Sequence, residues 1–392
     1  MATNTDIPQG YKATALGIIP QEWETIRLKD CFSISAGGDV QKDCFSETPS
    51  LQYKYPIYSN SLFNHGLYGF TSHPRHKANS ITITGRGALG HAEYRETDFD
   101  AIVRLLVLAP KIPLNGQYIT EYINFRKPFF YESTGVPQLT APQIANIQVL
   151  FPPLGEQRKI AEVLGVWDEA IEKQARLIEK LALRKRGLMQ RLLSAKLRLP
   201  GFSEPWKIHK LQELFTERNE TNRTDLPLLS ITGDRGVILQ TESEKRDTSN
   251  DDKSKYKRIA KGDIGYNTMR MWQGRSALSG LEGIVSPAYT IVVPNTDVDG
   301  YYMSVLFKQP RLIYDFWTHS QGLVGDTLNC KYRDFGQVHI CCPPLAEQKA
   351  ITEVLTAAAR EIELAKEKLD RLRRQKRGLM QQLLTGKKRV KY

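Results

Sequence analysis

The chain has 392 residues, 55 Lys and Arg against 43 Asp and Glu, a formal net charge of +12 and 41% hydrophobic residues. That is enough apolar material for more than one core, with a basic balance suited to a polyanionic or acidic partner. Five cysteines (Cys31, Cys44, Cys330, Cys341, Cys342) without CxxC spacing argue against a disulfide framework or a metal site, and no apolar run suggests a signal peptide or membrane span, so a reducing cytoplasm is the expected compartment.

Residues 1–22 are an N-terminal segment, and a first globular region is placed at 23–151. Runs at 80–84, 102–108 and 147–151, bounded by Gly, Pro or Asn, read as strands, and 118–125 reads as a short helix. Gly85-Arg86-Gly87-Ala88-Leu89-Gly90 matches GxGxxG after the first of these strands. A dinucleotide site would need a helix to begin there. The chain instead continues into His91-Ala92-Glu93-Tyr94-Arg95 and another strand-like run, so a tight turn is expected. Such a turn lets backbone approach DNA closely, with Arg86 presenting a fork of donors. His73 and His76 flank Pro74 and lack an evident third metal ligand.

The region 152–200 opens with Pro152-Pro153-Leu154-Gly155-Glu156-Gln157, and 343–392 opens with Pro343-Pro344-Leu345-Ala346-Glu347-Gln348. The register offset of 191 holds without a gap, giving 22 identities over 47 positions between 152–198 and 343–389. Internal repeats of this strength set the architecture. Leu164, Ile171, Ile178, Lys185 and Leu192 are seven apart, interleaved with Trp167, Gln174, Leu181 and Leu188. The second copy repeats this with Leu355, Ile362, Leu369, Lys376 and Leu383, interleaved with Ala358, Ala365, Leu372 and Leu379. Such heptads predict two helices of roughly 43 residues, about 65 Å each, forming an intramolecular antiparallel coiled coil. Glu156 and Glu347 sit near the positive ends of the helix dipoles, and basic residues including Arg198 and Arg389 near the negative ends. Gly201 and Gly386 are the expected stops. Lys185 and Lys376 interrupt the seam as register-setting or snorkelling residues. Gly187 and Gly378 each weaken good helix sequence, which a close helix approach within the chain or with a partner would explain.

The second globular region is placed at 201–342. Trp23, Leu28 and Phe32 match Trp206, Leu211 and Phe215 at an offset of 183, so about eight extra residues are expected, with the polar run 242–257 as their site. Strands are expected at 289–293 and 338–341 and a short helix at 301–307. The middles of the two regions hardly resemble each other, so the frame repeats while its content varies. The fold class is α+β: two mixed domains in pseudo-two-fold arrangement, joined by the two long helices. The regions 152–200 and 343–392 hold the whole charge surplus, with 31 basic and 31 acidic residues elsewhere. A basic spine of this kind fits a phosphate backbone or an acidic protein partner. No P-loop, HExxH, GxSxG or nuclease carboxylate cluster stands out, so a non-catalytic chain without cofactors is expected.

The twice-used Pro-Pro-Leu-x-Glu-Gln helix ending in Lys-Arg-Gly-Leu-Met-Gln-x-Leu-Leu resembles the specificity subunits of type I restriction–modification enzymes. Ile19-Pro20-x-x-Trp23 and Gly283-Ile284-Val285-Ser286-Pro287-Ala288-Tyr289 are similar to the same family. The resemblance implies two target-recognition domains, each reading one half of a split, asymmetric sequence in double-stranded DNA. It further implies that two methyltransferase subunits dock on the helices, and that motor–nuclease subunits join through the complex. Donors placed on loops make Tyr58, Asn60, Asn64, Arg86 and His91 the candidate readers of the first domain. Asn267, Arg270, Gln273, Arg275 and Gln321 are those of the second, because Arg suits guanine and Asn or Gln suits adenine. Leu188, Met189, Leu192, Leu379, Met380 and Leu383 are candidates for partner docking or helix packing. The rival from another class is a self-contained coiled-coil dimeriser carrying two ligand-binding domains.

Overall fold

The computed structural model describes residues 7–127, 137–233, 235–243, 251–322 and 328–391. It divides into two compact units: Met1–Arg176 with Lys366–Tyr392, and Leu177–Ala365. Each unit therefore contains one globular region, the first part of one long helix and the last part of the other.

The long helices span Leu154–Leu192 and Leu345–Leu383, 39 residues each, or about 58 Å at about 1.5 Å per residue. They pack together antiparallel, as the heptads predict. In the second unit Ile178 and Leu181 meet Ile362 and Ala365. The first unit's core takes in Leu164, Leu379, Met380, Leu383 and Leu384. That of the second takes in Leu188, Met189, Leu192, Leu193, Ile351 and Leu355. All six residues considered for docking or packing thus contribute to packing, and Leu192 and Leu383 are enclosed, at 0% and 4% exposure.

Both globular regions are built on the same four-stranded antiparallel sheet. In the first unit the order across the sheet is Phe32–Ala36, Leu106–Pro110, Ser80–Ile83, Ala92–Arg95. In the second it is Phe215–Glu217, Tyr289–Pro294, Ile264–Asn267, Ser276–Leu278. A helix follows the same strand in each, Gly116–Arg126 and Gly300–Leu306, close to the predicted spans. The first unit adds a smaller sheet with Tyr55–Tyr58 paired to Leu67–Thr71. Strands at Gln148–Phe151 and His339–Cys342 bring each region to its long helix.

Three expectations are corrected. The offset is 183 at Trp23 and Trp206, still 184 at Asn115 and Asp299, and 191 only at Pro152 and Pro343. The net insertion therefore follows the helix Gly300–Leu306, where the second unit carries an extra helix, Pro310–His319, with Leu312 and Phe316 buried. Of the run 242–257, residues 244–250 lie outside the described residues. Next, 102–108 is not one strand, because Val103 and Arg104 have positive φ (53° and 59°), leaving Ile102 in an isolated bridge to Gly38 and the strand to begin at Leu106. Finally, the first helix does not stop at Gly201. Ala195 (φ 57°) and Gly386 (φ 72°), 191 apart, hold the equivalent left-handed positions just past the two helices. There Leu197 N donates to Arg191 O at 3.0 Å and Lys388 N to Gln382 O at 3.1 Å.

The repeated motifs act as clamps. Fully buried Glu156 accepts from Trp23 Nε1 at 2.9 Å and Arg389 Nε at 2.7 Å. Gln157 accepts from Asn115 N at 2.9 Å and donates to Pro152 O at 2.8 Å. Asn115 in turn caps the helix Gly116–Arg126 by accepting from Tyr118 N. The second unit repeats every contact. Glu347 accepts from Arg198 at 2.6 and 2.8 Å and from Trp206 Nε1 at 3.2 Å. Gln348 accepts from Asp299 N and donates to Pro343 O, both at 2.9 Å, and Asp299 caps Gly300–Leu306 through Tyr302 N. Arg198 and Arg389 therefore do more than offset the dipole of the helix each follows. Each neutralises a carboxylate buried at the start of the other helix, and these charge-assisted bonds hold both guanidinium pKa values up.

The two seam lysines differ. Lys376 Nζ reaches Glu121 at 3.0 and 2.9 Å and Asp168 at 2.7 Å, and is 13% exposed. Burial raises the Glu121 pKa even though Lys376 opposes it. Lys185 is half-buried, and the positions matching Glu121 and Asp168 are Val305 and Ala359. A Cβ on Gly187 or Gly378 would meet nothing within 4 Å, so no close approach among the described residues accounts for either glycine.

Candidate nucleic-acid interface

Five of the ten candidate readers, Arg86 and His91 in one unit and Arg270, Gln273 and Arg275 in the other, fall on one topological feature. It is the hairpin joining the third strand of each sheet to its edge strand: residues 84–91 in the first unit and 268–275 in the second. Sequence comparison does not reveal this, because Ser80–Ile83 and Ile264–Asn267 share little beyond apolar character.

In the first unit the GxGxxG segment is a tight turn, as expected, with no helix following it. Thr84 N donates to His91 O and Gly90 N to Thr84 O, at 2.9 and 2.8 Å, with Gly87 (φ 68°) and Gly90 (φ 76°) at the bends. Arg86 is exposed, with Gln138 Oε1 at 3.5 Å from its guanidinium. His91 Nε2 lies 2.9 Å from Glu93 Oε1, and His65 Nδ1 lies 3.3 Å from the same oxygen. Burial works against ionising Glu93, but these hydrogen bonds and the Arg95 charge outweigh it and keep its pKa below the usual range. Tyr58 is half-buried, its ring covered by the Arg95 guanidinium at 3.6 Å. Asn64 is exposed in a left-handed conformation, φ 47°.

Asn60 stands apart, because its amide is spent on backbone. Nδ2 donates to Val103 O at 2.7 Å, and Oδ1 accepts from Gly85 N at 2.7 Å. It ties three loops together and leaves neither end of a bidentate pair for adenine.

The second unit's hairpin, of the same length, closes around buried Met271, which lies in a short 3-10 turn, Met271–Gln273. Asn267 Oδ1 accepts from Met269 N at 3.0 Å, and Asn267 N donates to Arg275 O at 3.0 Å. Arg270, Gln273 and Arg275 project as exposed side chains, and Arg270 Nη1 is 3.5 Å from Gln273 Oε1. Gln321 is held beside this hairpin: its backbone pairs with Asn329, and Cys330 N donates to Thr268 O at 2.8 Å. Its side chain reaches Asp334 Oδ1 at 3.4 Å.

The structure also brings forward residues that the sequence did not single out. Phe63 (86% exposed) and Leu62 lie beside Asn64, Val103 and Arg104 form a turn against Asn60, and Lys308 lines a pocket with Gln273 and Arg275. Among the described residues no group of three or more His, Cys, Asp or Glu is placed to hold a metal ion, and no helix is long and apolar enough to cross a membrane.

Comparison with known proteins places these features in context. Residues 20–182 match the family described as the type I restriction modification DNA specificity domain. A Mycoplasma pneumoniae protein named as a type I specificity subunit is 32% identical over 145 residues, covering 37% of this chain and 39% of that protein. The match therefore spans about two-fifths of that relative's length. A Methanocaldococcus jannaschii protein named as the MjaX type I restriction enzyme specificity subunit is 24% identical over 429 residues, 98% of this chain and 97% of that one. Among solved structures, the S subunit of a type I restriction–modification system from M. genitalium has a TM-score of 0.58 at 14% identity and covers 98% of both chains. At that identity the likeness speaks for the fold.

Proposed function

We propose that this chain, whose residues 20–182 match the type I restriction modification DNA specificity domain, is the non-catalytic, DNA-reading subunit of such an enzyme. Each unit reads one half of a split, asymmetric target, and each half is read from the hairpin at the sheet edge. The observation that carries this reading is one scaffold used twice with different exposed donors: Arg86 in one hairpin, Arg270, Gln273 and Arg275 in the other. Forked guanidinium groups on a rigid hairpin suit base-edge acceptors in the major groove. Asn64, His91, Asn267 and Gln321 remain candidates for contacts beside them.

Two methyltransferase subunits dock on the long helices, where the open surfaces at Gly187 and Gly378 offer a close approach, and motor–nuclease subunits join through them. The methyl donor and ATP bind those partners, and the complex acts in the cytoplasm. The rival reading, a coiled-coil dimeriser, needs a free apolar seam. Here each helix fills the seam of the other.

The test is selection of bound sequences from a random duplex library. The bait is this full chain, captured from its host by an affinity tag together with the subunits that accompany it. A two-part motif supports the reading, and its absence removes it. Arg270→Ala should then cost about 1–3 kcal/mol on one half of the motif and nothing on the other.

A further inference from the structure

In the first unit the most unusual backbone lies outside the hairpin. Val103 and Arg104 are consecutive, with φ 53° and 59°, and Leu105 N donates back to Ile102 O at 3.1 Å. Two left-handed residues inside a four-residue turn define the primed type, which Asn-Gly fills readily and a β-branched residue fills badly. Any side chain is disfavoured there, and valine more than most.

The surroundings hold the turn in place. Val103 N donates to Gly38 O at 2.9 Å and Arg104 N to Gly37 O at 3.0 Å. Gly37 packs so closely that a Cβ on it would lie 2.6 Å from the Ala101 carbonyl. Below, Arg75 Nε donates to the buried Asp100 carboxylate at 2.6 Å, and Arg75 Nη2 reaches Asp39 O and Ala101 O. Asn60 locks the top, joining Val103 O to Gly85 N, and the Arg104 carbonyl lies 3.1 Å from where a Cβ on Gly85 would stand. The rigid base therefore presents a strained tip carrying a half-exposed valine (49%) and an exposed arginine beside the Arg86 turn. Nothing in the core needs these two side chains. Strain retained at an exposed tip points to a function for the tip.

We infer that the Val103–Arg104 turn is a second reading tip of the first unit, beside the Arg86 hairpin. It enters a groove of duplex DNA with the Arg104 guanidinium forked onto base-edge acceptors and the Val103 methyls against a base or sugar. Asn60 acts as the positioning residue that fixes this tip relative to Arg86. The inference rests on the DNA-reading function proposed above and assigns it to residues outside the hairpin. Guanine is the base best matched to a forked guanidinium.

The deciding variant is Val103→Asn with Arg104→Gly, which keeps the turn in its preferred sequence and removes both reading groups. The tagged complex carrying it is compared with the unsubstituted complex in the random-duplex selection, alongside thermal melting. The expected result is an equal or higher melting temperature, loss of about tenfold or more in preference at adjacent base pairs of one half-motif, and an unchanged other half. Both halves retained by the variant overturns the inference and leaves the function standing. Loss of both halves, or a lower melting temperature, makes the turn structural and also overturns it. If the unsubstituted complex selects no motif, the function fails first and the inference with it.

Discussion

The two clamps and the two seam lysines were equally prominent as repeats in the sequence, yet the fold treats them differently. Glu156 with Trp23 and Arg389 is matched contact for contact by Glu347 with Trp206 and Arg198. Lys376 and Lys185 are also identical residues at identical heptad positions, but among the described residues only Lys376 has a pair of carboxylates around it. A repeated residue has a repeated role only where its partners repeat too. The clamp partners lie in the repeated frame. Of the Lys376 partners, Glu121 comes from the divergent globular region and Asp168 from a helix position where the second copy has Ala359.

The largest effect should come from breaking either clamp. Arg389→Ala and Arg198→Ala each leave a buried carboxylate with a tryptophan as its remaining side-chain partner among the described residues. Each should cost about 2–3 kcal/mol, somewhat below a fully buried pair because both arginines are partly exposed. Urea denaturation of the full chain measures this, and unequal losses would break the equivalence of the clamps.

Next in size is the contrast at the seam. Lys376→Met should cost about 2 kcal/mol by leaving Glu121 and Asp168 facing each other, and Lys185→Met should stay within about 0.5 kcal/mol. Adding Glu121→Val and Asp168→Ala to Lys376→Met should recover most of the loss, since an apolar replacement of a buried ionic cluster is often neutral or stabilising. Failure to recover would mean that the cluster sets helix register as well.

The helix ends give a smaller, opposite pair. Gly386→Ala should cost about 1–2 kcal/mol, because φ is 72° and the new Cβ would lie 2.4 Å from Pro20 Cδ. Ala195→Gly should gain up to about 1 kcal/mol by relieving the same conformation. The smallest changes in stability belong to Gly187→Ala and Gly378→Ala. Each should stabilise the isolated chain by just under about 1 kcal/mol, as an open helical position allows. In affinity captures from the host they should recover less methyltransferase, and undiminished recovery would place docking elsewhere on the helices.

The long helices, their antiparallel pairing and most strands were legible in the sequence because heptads and alternating runs record burial along a local stretch. Trp23, Trp206, Glu156 and Glu347 were visible as repeats but not as clamps, since their partners lie 133 and 233 residues away in the first copy and 141 and 149 in the second. The shared hairpin was hidden because an interior strand needs only apolar residues, and Ser80–Ile83 and Ile264–Asn267 meet that need differently. The extra helix Pro310–His319 could have been found from Pro310 in its first turn and the spacing of Leu312 and Phe316. Val103 and Arg104 could not, because 102–108 carries the composition of a continuous strand. The turn is imposed by Gly37, Gly38 and Asn60 from elsewhere in the chain.

The most direct test of the central claim is a base-resolution map of methylated adenines in the native host, with and without the gene for this chain. A DNA-reading specificity subunit predicts that deletion erases one two-part asymmetric motif and leaves every other methylated motif intact. A host that methylates such motifs identically in both backgrounds would contradict it.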